Sequence, residues 1–331
     1  MLTPLKSALS FLYAAAFNLF EAPMMALQKM TGAQRIAWVF LLPNLVIFSA
    51  FTFLPIFLNF FYATTGSDQI MLADRPYVGA ENFRSLLACQ NYLEPNSCER
   101  DIFWRAIHNT FWFVILQVGF MILFSLLTAL ILNRSIPWRG FFRAVFFYPV
   151  LLSPVVVALI WKWVLQRYGV LNAGLEGAGL PVVNWLLEAD WAFFWIIFVS
   201  IWAHMGFYTL ILLAGLQAIP SDVYEAAEMD GASKWRTFSR ITMPLLMPTM
   251  VVVIVLSLIR AVQAFDEVFV LTGGGPGSAT LLLLQFIYET GFAFRPQLFG
   301  LAAAASLLMA GVLLVLTLLQ LRATRGRTEE G

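Results

Sequence analysis

Charge is what this chain has least of. Lys, Arg, Asp and Glu make up 12% of its 331 residues, 60% are hydrophobic, and the mean hydropathy is +0.80. A soluble domain carries about 25% charged residues, so a soluble globular protein is excluded. The apolar residues come in long runs, which makes this an all-α polytopic membrane protein. Net charge is +1. No basic run with interleaved aromatics lies outside the apolar stretches, so nucleic acid is not a partner, while membrane lipid is.

Cysteine and histidine are equally scarce, at two each. Cys89 and Cys98 sit in one hydrophilic stretch, at a spacing that is not a zinc pattern, and no His/Cys cluster accompanies them. No metal is expected. In an oxidising compartment the pair closes a disulfide; otherwise it stays as two thiols. A phosphate-binding loop is also missing. "TGGGPGSAT" at Thr272–Thr280 is glycine-rich but lacks the G-K-[ST] ending, and reads as a flexible turn. No catalytic constellation is present, so any energy from ATP comes from another chain.

Six runs are long enough to cross a bilayer as a helix, which takes about 20 residues: Ile36–Tyr62, Asn109–Leu132, Phe141–Leu165, Trp191–Leu216, Thr249–Leu271 and Leu298–Leu321. Pro43, Pro55, Pro149 and Pro154 predict kinks within or near them. Residues 1–33 read as an amphipathic, interfacial segment ahead of the transmembrane domain at 34–331. A cleaved signal peptide fits less well, because a full span follows at once.

Lys and Arg set the orientation. Lys6, Lys29 and Arg35 precede the first span; Arg134, Arg139 and Arg143 follow the second; Lys234, Arg236 and Arg240 follow the fourth; Arg322, Arg325 and Arg327 follow the sixth. The intervening loops hold fewer basic residues for their length. Both termini and the 217–243 loop therefore face the cytosol, and the 63–108 loop faces outward, as suits a disulfide.

The charge that does occur is concentrated in one place. "SDVYEAAEMDGASKWRTF" places Asp222, Glu225 and Glu228 in the first turns of a helix, where its dipole favours acids, with Asp222 and Glu225 at capping-box spacing. Gly231 closes that helix in left-handed geometry, and Ser233 caps a second one. Ala226, Ala227 and Ala232 keep the surface thin, as suits a groove on another protein. An amphipathic linker fits equally well on these grounds.

The spacing resembles the EAA loop of ABC-transporter permease subunits: Glu225-Ala226-Ala227, then Gly231, then Ile241-Thr242-Met243-Pro244, with Met243 replacing the usual leucine. Asp230 before Gly231, "LAGLQAIPSDVYEAAEMDGA" and "TGGGPG" resemble the carbohydrate branch, the maltose and glycerol-phosphate permeases of type I importers. The resemblance implies six core spans in the bacterial inner membrane, a second and different permease subunit, two ATPase subunits that hold ATP and Mg, and an outer-side solute-binding protein. It further implies that Glu225, Ala226, Ala227, Asp230, Gly231, Ile241 and Pro244 form the element that docks on the ATPase and drives alternating access.

Polar groups inside spans are costly and mark function. His204 lies mid-span, and Arg260, Gln263 and Glu267 share a helical face at spacings of three and four, with Asp266 beside them. Trp202, Phe207 and Tyr208 supply aromatic faces. Together these define a candidate path for a sugar, glycoside or polyol. His204 as a hydrogen-bonded core residue, Arg260 as half of an ion pair and Trp202 and Tyr208 as core aromatics are the competing readings. An unneutralised Arg260 favours an anionic substrate. An ion-gradient-driven carrier and a membrane enzyme are the alternatives, but no internal repeat or nucleophile–base pair supports either.

Overall fold

The computed structural model describes residues 33–66 and 69–328. The interfacial segment expected over residues 1–33 lies outside these apart from Ala33. The described residues fall into two compact units, divided between Phe61 and Tyr62.

In the first unit, α1 (Ala33–Phe48) passes through a widened π turn (Ser49–Phe53) into α2 (Leu54–Ala63). The ring of Pro55 would clash with the carbonyl four residues back, and the wider turn falls at that point. Residues 41–63 form one apolar stretch of spanning length.

The second unit opens with the hydrophilic segment between the first two spans. α3 (Glu81–Leu87) leads into a hairpin closed by a Cys89–Cys98 disulfide, with Cα atoms 4.0 Å apart. Of the two alternatives for this pair, the bonded one holds. Arg75, 7% exposed, donates to the Thr65 hydroxyl at 2.7 Å and to the Gln69 carbonyl at 2.6 Å, and stacks over the Tyr62 ring. Tyr92 and Leu93 are exposed at the hairpin tip. Cys98→Ser is expected to cost this loop about 2–3 kcal/mol, read as faster chymotryptic nicking at Tyr92–Leu93 with the spans intact.

α4 (Asp101–Asn133) begins eight residues before the apolar run Asn109–Leu132, so the second span projects beyond the length needed to cross the bilayer. After it come α5 (Arg139–Phe147), α6 (Pro154–Val164), α7 (Val170–Gly177) and α8 (Ala189–Gln217). α9 (Ser221–Met229) and α10 (Lys234–Val262) follow, then α11 (Asp266–Thr272), α12 (Leu283–Tyr288) and α13 (Phe299–Thr328). Among the described residues, five helices are long and apolar enough to cross a membrane, and six if the bent pair α5–α6 counts as one. Two isolated bridges, Thr65–Tyr77 and Cys89–Cys98, are the β-type pairings found there.

Two spans depart from the sequence expectation. Phe141–Leu165 is not one helix: α5 and α6 meet at 101°. Pro149 sits in a short 3-10 turn and Pro154 opens α6, with Ser153 before it extended at ψ 137°. Proline disfavours the helical region for the residue before it; Tyr148, before Pro149, stays helical, and the break falls at the extended Leu152 and Ser153, before Pro154. Thr249–Leu271 is not one helix either: α10 ends at Val262, and Asp266 and Glu267 start α11, where acids favour a helix N-terminus. At its other end α10 runs unbroken from the 217–243 loop through Pro244 and Pro248. It accommodates Pro244 with a π turn at Phe238–Thr242.

Two clusters of buried side chains hold this unit. The larger joins α4, α8, α10 and α11 through Phe113, Met121, Leu212, Leu246 and Val268. The smaller gathers Phe103, Phe286 and the row Ala302–Ala305 of α13. The small residues of the last span are therefore packed within this chain.

Candidate translocation site

α8 is apolar on all sides, and its midpoint carries His204. Beside it is Gly206. A Cβ there would lie 2.2 Å from the Phe146 carbonyl oxygen, so α8 touches the backbone of α5 at the point where the third span breaks. This contact is what places the break, residues 148–153, against His204. Non-helical backbone within a span is tolerated where it lines a cavity, and a cavity of about 340 Å3 opens here. Pro149, Leu152 and Pro154 form one wall; His204, Phe207, Tyr208 and Arg260 form the other. Pockets of about 300–1,000 Å3 accommodate small molecules.

The polar groups form a chain. His204 Nδ1 donates to the Ser200 carbonyl at 2.8 Å, which leaves Nε2 to accept from the Arg260 guanidinium. Ser200 Oγ donates to Glu267 Oε1 at 3.2 Å, and Glu267 is 4% exposed. Among the described residues no carboxylate comes within 4.0 Å of Arg260. A second cavity of about 190 Å3 is lined by Arg260, Gln263, Asp266 and Glu267. Arg260 thus stands between the two.

The expected residues separate on inspection. His204, Phe207, Tyr208 and Arg260 meet in one cavity, and Gln263, Asp266 and Glu267 meet Arg260 in the next. The shared helical face expected for Arg260, Gln263 and Glu267 does not exist, because the helix ends before Gln263; the break itself folds them together. Trp202 falls outside both cavities and packs on Trp161, ring centres 5.6 Å apart, within an aromatic core. Ser200 and Gly206 were not singled out in the sequence. The glycine beside a mid-span histidine in "AHMGFY" was the available signal for a close helix approach.

On the loop side, α9 ends in a Schellman motif. Gly231 has φ 67°, its N–H bonds the Glu228 carbonyl at 3.0 Å, and Ala232 N–H bonds the Ala227 carbonyl at 2.9 Å. Ser233 Oγ accepts from Arg236 N at 3.3 Å, capping α10 as expected. The capping box expected from Asp222 and Glu225 is not formed; Pro220 takes the cap position and offers no side-chain bond. Glu225, Ala226, Asp230, Gly231 and Pro244 are exposed, Ile241 is half-buried, and Ala227 faces inward at 6% exposure. The Tyr224 and Thr242 hydroxyls lie 3.2 Å apart, tying α9 to α10.

A cavity where a broken span meets two intact ones, in a chain of apolar helices with an exposed, rigidly closed loop, defines a membrane transport subunit. Residues 121–327 match the family described as "Binding-protein-dependent transport system inner membrane component", and the chain belongs to that family. It is 34% identical over 298 residues to the trehalose/maltose transport system permease protein MalF of Thermococcus litoralis, covering 89% of this chain and 95% of that one. To the lactose transport system permease protein LacF of Rhizobium radiobacter it is 32% identical over 295 residues, covering 88% and 94%. The fold matches a chain of a bacterial ABC transporter that imports the acidic polysaccharide alginate, with TM-score 0.76 and 27% identity over 91% of this chain and 98% of that one. The chain is therefore a translocation subunit and not an enzyme. This membership argues against the ion-gradient-driven alternative.

Proposed function

We propose that the chain forms the translocation path for a sugar, glycoside or polyol, with His204, Phe207, Tyr208, Arg260, Gln263, Asp266 and Glu267 along it. The cavity at the break in the third span carries this reading: it sets two aromatic side chains and two hydrogen-bonding groups around a space of about 340 Å3. The maltose, lactose and alginate relatives support a carbohydrate cargo. The working assembly pairs this chain with a second, different permease subunit and two ATPase subunits that hold ATP and Mg. An extracytoplasmic solute-binding protein, such as accompanies the alginate transporter, delivers the substrate. Both termini and the α9 loop face the cytosol. There Glu225, Ala226, Asp230 and Gly231 dock on an ATPase, and Tyr224–Thr242 passes its movement to α10. Closure of the ATPases on ATP then opens the path alternately to each side.

A thiol placed in the cavity tests the path. With Cys89 and Cys98 bonded, Phe207→Cys is the reactive thiol of the described chain. In vesicles carrying the whole transporter, a transported sugar is expected to slow its labelling by a small charged reagent. A labelling rate indifferent to every transported sugar contradicts the assignment.

A further inference from the structure

We propose that the larger cavity takes the anionic substituent of its sugar, a carboxylate or phosphate, with Arg260 as the counter-charge; this rests on the carbohydrate-path reading above. Three observations converge. First, Arg260 is a cation level with the midpoint of α8, and its hydrogen bond runs to His204 Nε2, a lone pair and not a charge, since Nδ1 carries the proton given to the Ser200 carbonyl. Second, among the described residues no carboxylate lies within 4.0 Å of it. A cation within a span that no carboxylate contacts is costly, and a substrate anion lowers that cost.

Third, charge is segregated across Arg260. The ionisable groups lining the 340 Å3 cavity are His204, Tyr208 and Arg260, and the α5–α6 break adds only apolar and proline residues to it. Both nearby acids, Asp266 and Glu267, line the 190 Å3 cavity on the other side. Glu267 is committed to Ser200. The space beside the aromatic faces of Phe207 and Tyr208 is thus cationic, and the acids lie where they would not repel a ligand seated there. A guanidinium presents paired donors that match a carboxylate or a phosphate.

The test is binding to the detergent-purified transporter, with its co-purifying subunits and without the solute-binding protein, so that delivery does not set the preference. The probes are two matched pairs: digalacturonate with its dimethyl ester, and glucose 6-phosphate with glucose. The expected result is that one acid binds about tenfold or more tighter than its neutral partner, and the pair that discriminates identifies carboxylate or phosphate. Arg260→Gln is expected to cost the acid more than its neutral partner, so that the preference is lost, and Arg260→Lys to keep part of it. Equal binding within both pairs overturns the anionic inference alone, as does equal loss of acid and neutral partner in Arg260→Gln. Binding of no carbohydrate by any form overturns the carbohydrate reading and this inference with it.

Discussion

Gly231→Pro is expected to leave the chain inserted in the membrane and to reduce ATP-driven uptake to background. Gly231 holds φ 67° and gives its N–H to the Glu228 carbonyl at 3.0 Å. Proline fixes φ near −65° and has no N–H, so both the reversal and its hydrogen bond are lost. α9 then leaves α10 in a different direction, and the exposed Glu225–Ala226 surface no longer points where the loop closure sets it. No buried cluster includes Gly231, so the spans fold without it. Gly231→Ala is the graded control. Its Cβ meets nothing within 4 Å, and the left-handed geometry costs about 1–2 kcal/mol, so uptake should fall without vanishing. Uptake in vesicles, normalised to the amount of chain in the membrane, separates these outcomes; so does ATPase co-purification, which Gly231→Pro should lose.

Gly206→Val is expected to destabilise the transmembrane unit itself, by about 3 kcal/mol or more. An added Cβ would sit 2.2 Å from the Phe146 carbonyl oxygen and 3.0 Å from the Phe147 Cα. Neither atom is the end of a movable side chain. α8 must therefore withdraw from the break in the third span, which opens the wall of the 340 Å3 cavity and strains the packing of α8 on α4. The measurement is thermal unfolding of the solubilised protein, with Gly119→Ala on α4 as reference. That position has nothing within 4 Å of the added methyl, and its midpoint should stay at or above that of the parent.

The long spans were readable because hydrocarbon demands uninterrupted apolar helix, and α4, α8 and α13 obey that demand. Where the chain breaks a helix inside a span, hydropathy has no signal. The stretch from Phe141 to Leu165 scores as one run, although Pro149 and Pro154 lie in it, and proline alone does not distinguish a kink from a 101° turn. The prolines of α10 have the opposite outcome: a π turn absorbs Pro244 and the helix continues. The loop at Gly231 was legible because its geometry is local, set by one glycine and a serine cap. His204 and Arg260 were legible as polar residues in apolar runs. Their meeting was not, because it depends on the close approach at Gly206 and on α10 ending at Val262. Arg260, Gln263 and Glu267 came together for a different reason from the one their spacing implied.

In the proposed assembly the chain provides a path and takes its energy from partner ATPases through the α9 loop. Sugar uptake into proteoliposomes tests this most directly, with the chain reconstituted alone or with its co-purifying subunits, ATP and solute-binding protein. The expected result is ATP-dependent uptake by the assembly, its loss on Glu225→Lys with all subunits still present, and none by the chain alone under any imposed ion gradient. Gradient-driven uptake by the isolated chain, or full ATP-driven uptake by Glu225→Lys, would contradict it.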